Sequence, residues 1–204
     1  VMNGALLQSD NYENELFGTE NKDGSVSYGF LEKASNGTLL IDEVSEIPLD
    51  TQAKILRVLI DQKFKRINGT KDINVNIRII SSTSKDLKSE VTIGNFREDL
   101  YHRINVVPIE IPKLSSRPDD IPILINYFQK KISEINGIPE IKLNVDEELL
   151  YSYDWPGNVR ELRNLVERIS ILSQNENKSN ITRLLNEILN KNSTQNLNET
   201  TTSM

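Results

Sequence analysis

Cysteine is absent from this chain of 204 residues, which excludes a disulfide framework and any thiolate metal site. Its absence fits a reducing, cytoplasmic setting. No run approaches the roughly 18 apolar residues that a bilayer-spanning helix needs, so no membrane role is expected. The first residues also lack a signal-peptide pattern. Net charge is only −6, with 26% charged residues, so there is no overall basic field for gripping nucleic acid. Histidine occurs once, at His102. With no nucleophile or metal partner identifiable, it reads as a surface or interface residue. There are no internal repeats. The length suffices to bury a real core, as one domain or as a larger and a smaller one.

What is present centres on Gly37–Pro48, GTLLIDEVSEIP. Leu39-Leu40-Ile41 has the length and bounds of a buried parallel strand, and it runs directly into two carboxylates, Asp42 and Glu43. The ligand crevice of an open α/β sheet lies just outside such strand ends. One acid can serve Mg²⁺ while its neighbour polarises water. An apolar strand that merely enters an acidic turn reads equally well from these residues alone.

The rest of the chain sorts into elements. Glu15–Gly18 reads as a helix end with Gly18 as a left-handed cap. Asn21–Tyr28 is polar and reads as a loop. Pro48 to Lys63 is expected to be helical, with Asp50 as N-cap and Ala53, Leu56, Leu59 and Ile60 on its apolar face. Asn68-Gly69 signals a turn. Asn74–Ile80 reads as a second strand that breaks into Ser81-Ser82-Thr83-Ser84, and Val106–Ile111 as a third. Lys85–Ile93 and Phe96–Ile104 are short helices. Beyond Pro112–Pro118 the pattern is wholly helical. Asp119–Ile135 carries Leu124, Ile125, Phe128, Ile132 and Ile135 on one face, and Asp146–Tyr153 is shorter. A third helix follows Asn158, with Glu161 placed for a capping box; its stripe is Val159, Leu162, Leu165, Val166, Ile169 and Leu172. Residues 174–180 read as a linker, Ile181–Leu189 as a weak helix and Asn192–Met204 as disordered. The expected layout is an α/β portion over 1–112, a helical portion over 113–173, and a linker and tail over 174–204. The chain opens on Val1 inside a structured segment, so it is expected to be a portion of a longer protein.

Taken in order, ELFG (Glu15–Gly18), GTLLIDEV (Gly37–Val44), TQAKILRVL (Thr51–Leu59), FREDLYHRINV (Phe96–Val106), RPDDIP (Arg117–Pro122) and WPGNVREL (Trp155–Leu162) resemble the AAA+ ATPase domain of sigma-54-dependent transcriptional activators. The resemblance spans roughly residues 1 to 173, and six motifs in order are far more specific than any one. It implies an α/β fold, a P-loop-type parallel sheet sandwiched by helices, incomplete at the N-terminus and followed by a small helical lid. It also implies ATP and Mg²⁺ as cofactors and self-association into a ring.

Residue by residue, the resemblance makes Asp42 the Walker-B acid that coordinates the metal and Glu43 the residue that orients the attacking water. It makes Asn3 the partner that holds Glu43 until ligand signals arrive. Arg97 and Arg103 match a pair of arginines presented across the ring interface, where an arginine finger stabilises charge on the γ-phosphate. Arg160 matches the sensor-II arginine of the lid. Thr83 and Ser84 fall at the sensor-I position. Each arginine also has a bland reading: Arg97 lies beside Glu98 and Asp99, so local ion pairing accounts for it too. Trp155-Pro156-Gly157 reads as packing and turn geometry.

The sequence departs from the pattern at two places. No G-x-x-x-x-G-K-[ST] occurs in it, so the backbone cradle and lysine for the phosphates are not supplied by these residues. Several charge-assisted contacts, each worth roughly 1.5–3 kcal/mol, are then missing, and these residues alone are expected to bind ATP poorly. The Gly-Ala-Phe-Thr-Gly-Ala loop that contacts sigma-54 is replaced by the shorter, Phe-free Asn21–Tyr28. This shortening, together with Ser84 in place of the usual sensor-I Asn, points to the NtrX-like branch of nitrogen-related response regulators, and a sigma-54 contact is not expected through this loop. DNA binding in that branch belongs to a helix-turn-helix not present here. The competing expectation is a non-catalytic regulatory or remnant AAA+ module. A third, an AAA+ unfoldase, lacks its pore-loop aromatic.

Overall fold

A computed structural model describes residues 1–6, 11–137 and 147–172. The chain forms two compact units, Val1–Ile109 and Glu110–Met204.

The first unit is built on a parallel sheet of three strands, β1 (Met2–Asn3), β4 (Gly37–Asp42) and β7 (Ile77–Ser81), with β4 in the middle. Parallel neighbours need long crossovers, and these carry α1 (Tyr12–Phe17), α2 (Phe30–Lys33) and α3 (Leu49–Asp61). Leu39 and Ile41 point into the core with Leu16, Phe17, Ile55, Val58 and Leu100. The period-2 geometry of a strand turns Leu40 and Asp42 to the other face. The register pairs Asn3 with Asp42 and Ile41 with Ser81, which lines up the carboxyl ends of all three strands. α4 (Leu87–Thr92) starts on Asp86, whose side chain accepts from the Lys88 N–H at 3.2 Å, and α5 (Glu98–Ile104) follows.

Two antiparallel hairpins stand beside the sheet: β2 (Gly18–Glu20) with β3 (Val26–Tyr28), and β5 (Lys63–Lys65) with β6 (Asp72–Asn74). Asn21–Tyr28 is therefore a loop over its first five residues and a strand over Val26–Tyr28. Gly18 has φ 75° and ψ 174°, so it starts β2 and does not close the helix as a left-handed cap. A Cβ on it would lie 2.3 Å from the Ser27 carbonyl oxygen. The hairpins are tied together by backbone bonds from Glu20 N–H to Ile67 O (3.0 Å) and from Ile67 N–H to Gly18 O (2.9 Å). Arg66 adds a bidentate pair with Glu32 (3.0 and 2.6 Å) and lies over the Tyr28 ring at 5.4 Å. Charge-assisted forks in a partly buried site are among the stronger polar contacts. Arg66→Met is expected to destabilise the fold by about 2 kcal/mol, with amide exchange accelerating first in β2 and β3. Thermal unfolding and hydrogen exchange check both.

Three expectations are corrected. The apolar face of α3 is centred elsewhere: Thr51, Gln52, Ile55 and Val58 are buried, Leu56 and Leu59 pack against the core only partly buried, and Ile60 is 61% exposed. Pro48 holds the N-cap position, so Asp50 lies in the first turn without capping it. Val106–Ile111 forms no strand. Among the described residues β7 pairs only with β4, and Val106, Val107, Ile109 and Ile111 are all at least 72% exposed. Apolar, β-branched residues do not make a strand without a ladder partner.

In the second unit, α6 (Asp120–Asn136), α7 (Glu147–Ser152) and α8 (Asn158–Leu172) enclose a core of Leu114, Ile121, Ile125, Phe128, Leu162 and Val166, among others. The expected stripes hold except at their ends, where Ile135 and Leu172 are exposed. Trp155 is buried and donates from Nε1 to the Leu150 carbonyl at 2.9 Å, the packing role read from the sequence. At the start of α8, Asn158 Oδ1 accepts from Val159 N–H (2.9 Å), and Glu161 reaches back to Gly157 N–H (2.8 Å). Glu161 thus makes the returning half of a capping box one residue early, and Asn158 bonds the adjacent N–H in place of the third, so the expected box is only half formed. The expected helix over 181–189 and the disordered tail lie outside the described residues.

Candidate functional site

The parallel sheet delivers Asp42 and Glu43 to its carboxyl end, but the two acids are held differently. Asp42 is the last residue of β4, and its side chain shares a face with Asn3 because the register sets them opposite each other. Asn3 Nδ2 donates to Asp42 Oδ2 at 3.0 Å, and Ser82 Oγ donates to Oδ1 at 2.5 Å. The Asn3 carbonyl oxygen accepts from Ala5 N–H at 2.9 Å, which fixes the amide orientation. Both donors are neutral, and each carboxylate oxygen has a lone pair to spare.

Glu43 leaves the strand with φ 53° and ψ 56°. A non-glycine residue in the left-handed region costs about 1–2 kcal/mol and persists only where surrounding structure holds it. Here Val44 N–H donates to Ser82 O at 2.9 Å, and Ser82 N–H returns the bond to Ile41 O at 2.9 Å. The turn swings the Glu43 carboxylate toward the loop after β7, where Ser84 N–H and Ser84 Oγ both donate to Oε2 at 3.0 Å. Among the described residues Oε1 accepts no hydrogen bond.

The role expected of Asn3 thus changes. Its amide holds Asp42, not Glu43, because side chains opposite in register meet, whereas Glu43 is turned away by its backbone. Ser84 takes the place beside Glu43 that the resemblance assigned to Asn3. Thr83 Oγ1 donates to Ser45 Oγ at 3.0 Å and accepts from Lys85 N–H at 3.1 Å, so it braces the two loops. Ser82 was not singled out from the sequence, though its place in the polar run ending β7 was the available signal.

Arg97 and Arg103 belong to the same unit. Arg97 makes a bidentate pair with Asp99 at 3.0 and 2.7 Å. These hydrogen bonds raise the Arg97 pKa above its ordinary value and lower that of Asp99. The pair is exposed, so it contributes little to stability. Arg103 donates to the Leu59 carbonyl at 3.1 Å, near the C-terminus of α3. His102 is exposed beside Glu98 at 3.8 Å. Arg160 lies in the second unit, exposed on α8.

A parallel sheet ending in an Asp–Glu pair, steadied by the polar end of a neighbouring strand and followed by a separate helical unit, is the AAA+ architecture. The Sigma-54 interaction domain matches residues 1–110, and the AAA+ ATPase lid domain matches residues 115–201. This chain belongs to the sigma-54 interaction domain family.

Among relatives, the nitrogen assimilation regulatory protein NtrX of Azorhizobium caulinodans is 45% identical over 89% of this chain and 40% of its own length. A putative NtrX-like response regulator of Rickettsia felis is 42% identical over 85% of this chain and 37% of its own. Among solved structures, NtrX from Brucella abortus superposes with a TM-score of 0.82 at 47% identity, over 87% of this chain and 41% of that one. The same protein has been solved with ADP (TM-score 0.81) and with ATP (TM-score 0.80). Hsp104 superposes with a TM-score of 0.59 at 19% identity, a likeness of fold alone. The chain spans about 40% of the length of the NtrX relative it matches. Among the described residues no helix is long and apolar enough to cross a membrane.

Proposed function

We propose that this chain is the ATPase-domain portion of an NtrX-like two-component response regulator, a cytoplasmic protein that controls transcription and hydrolyses ATP as a ring. The observation that carries this reading is the divided treatment of the two acids. Asp42 is steadied by two neutral donors, and Glu43 is held by one oxygen with the other open. That NtrX from Brucella abortus has been solved with ADP and with ATP supports nucleotide as the ligand.

Magnesium is commonly held by one or two carboxylates together with substrate phosphates and water, and the Asp42 carboxyl, fixed by Asn3 and Ser82 with lone pairs to spare, fits that requirement. Asp42 would hold the ion, whose chemistry there would be charge neutralisation at the phosphates. Glu43 orients the attacking water through Oε1, with Oε2 anchored on Ser84. Asn3 and Ser82 hold Asp42 in place. Arg97 and Arg103 serve the nucleotide of the neighbouring copy, Asp99 pairing with the Arg97 guanidinium until it is engaged. Arg160 reads the nucleotide from the lid, which follows the α/β subdomain near residue 112; the compact-unit boundary at Ile109 and the family matches ending at 110 and starting at 115 support that division.

The β2–β3 hairpin occupies the place of the sigma-54-contacting loop. Its tip is closed on itself: Asn21 Nδ2 donates to Ser25 Oγ (2.8 Å), and Ser25 N–H and Oγ donate to Asp23 (2.9 and 2.7 Å). A polar, self-satisfied tip presents no apolar probe. In this reading the regulator does not engage sigma-54 through this hairpin and reaches DNA through another domain.

The test is made on the full-length regulator. It is expected to bind ATP, to assemble in a nucleotide-dependent way and to release phosphate, with Asp42→Ala lowering turnover at least about a hundredfold, the scale of a lost electrostatic stabiliser. Full-length protein that neither binds ATP nor assembles with it would establish the non-catalytic module instead.

A further inference from the structure

We propose that Gln52 is a positioning residue: its buried amide clamps the loop after Glu43 to the loop carrying Arg97, and so sets where that arginine is presented. The inference rests on the hydrolytic reading above and adds a residue to it.

Gln52 lies in the first turns of α3 and is 0% exposed. Its Nε2 donates to Ile47 O at 2.7 Å and to Asn95 O at 3.1 Å, and its Oε1 accepts from Arg97 N–H at 2.9 Å. Ile47 ends the short turn Val44–Glu46 that follows Glu43. Asn95 and Arg97 flank Phe96, which is buried in the same core. One side chain therefore grips the chain leaving the acids on one side, and both backbone groups around the anchor of the arginine loop on the other. The contacts demand two donors and an acceptor in one planar group of this length, which only an amide supplies. Methionine fills the same volume and supplies none of them. Two carbonyls and one N–H then lose their partner beside a fully buried side chain, a cost that the Asn95–Arg97 loop relieves by moving away.

Arg97 meets Gln52 through its backbone N–H, while its guanidinium pairs with Asp99. Gln52 thus acts on catalysis through the place of Arg97. Displacing a catalytic group by about 1 Å costs up to ~10²-fold in rate. Asp42 and Glu43 are held by Asn3, Ser82 and Ser84 and not by Gln52, so a Gln52 variant keeps its own acids in place while it presents a misplaced arginine to the next copy.

Two measurements on the full-length regulator test this. In a double-mutant cycle, Gln52→Met is expected to lower kcat about tenfold or more with KM for ATP within about twofold, and to add nothing in an Arg97→Ala background. In mixed rings, Gln52→Met copies and Glu43→Gln copies are each poor alone. Together they are expected to regain turnover, because the Glu43→Gln copy lends a well-placed arginine to the sound site of its neighbour. Losses that multiply in the cycle, or mixtures no more active than their parts, would overturn the inference while leaving the hydrolytic reading intact. A variant that merely misfolds gives no rescue and counts against it. Wild-type protein without ATP turnover overturns both.

Discussion

Glu43→Gln is expected to lower ATP turnover of the full-length regulator by about 10²–10³-fold, the span usual for removing a general base or water-orienting group, while ATP affinity stays within a few-fold. The geometry explains why the two effects separate. A glutamine oxygen can accept the same 3.0 Å bonds from Ser84 N–H and Oγ, so the loop after β7 keeps its place. The left-handed backbone at Glu43, with φ 53°, is equally accessible to glutamine. Lost are the negative charge and the basic lone pair on the open oxygen, which the attacking water needs and nucleotide binding does not. Phosphate release and nucleotide titration on the same preparation check it. Turnover equal to wild type would remove Glu43 from the mechanism.

Gly4→Ala is expected to damage the fold and the acidic strand end together. A Cβ on Gly4 would lie 2.4 Å from the Glu43 carbonyl oxygen and 3.0 Å from that of Asp42. Both obstacles are backbone atoms at the end of the central strand, so no side chain can swing aside. Either β1 withdraws from β4, breaking the Asn3–Asp42 hydrogen bond of 3.0 Å, or the strand end shifts with both acids on it. Overpacking of this kind costs typically about 1–3 kcal/mol, and more where backbone must move. We expect a loss near the top of that range in chemical denaturation of this chain, with turnover in the full-length regulator lost even where the variant folds. Denaturation unchanged within about 0.5 kcal/mol, the range of an ordinary surface substitution, would show that the strand end yields more easily than its packing implies.

Gly4 and Gln52 show where sequence reading stops. A glycine in a stretch too short to classify carries no visible reason to be glycine until another strand is laid against it. Gln52 sits in the α3 segment, whose apolar residues suggest a face through Ala53, Leu56, Leu59 and Ile60; the fully buried line runs through Gln52, Ile55 and Val58, with Leu56 and Leu59 at its edge. A polar residue that turns inward is invisible to a pattern that counts apolar ones. The hairpins were missed for a related reason. Gly18–Glu20 and Val26–Tyr28 are short, and they are strands because they pair with each other and, through Ile67, with the next hairpin.

Local chemistry was legible. The apolar run into Asp42-Glu43, the helices around Leu56, Phe128 and Val166, and the buried Trp155 all follow from periodicity, caps and burial within a few turns of chain. The ordered motifs carried the family. Tertiary structure alone decided which side chain holds which acid. Asn3 meets Asp42 because a parallel register places them face to face. Glu43 meets Ser84 because its own backbone turns left-handed and carries the carboxylate across to the next strand's loop. Arg97 is steadied by Gln52, far from it in sequence, because α3 packs its polar residue inward. Sequence motifs name the chemical groups at this sheet end; register, backbone handedness and close approach decide their partners, because each of these joins residues that no local pattern connects.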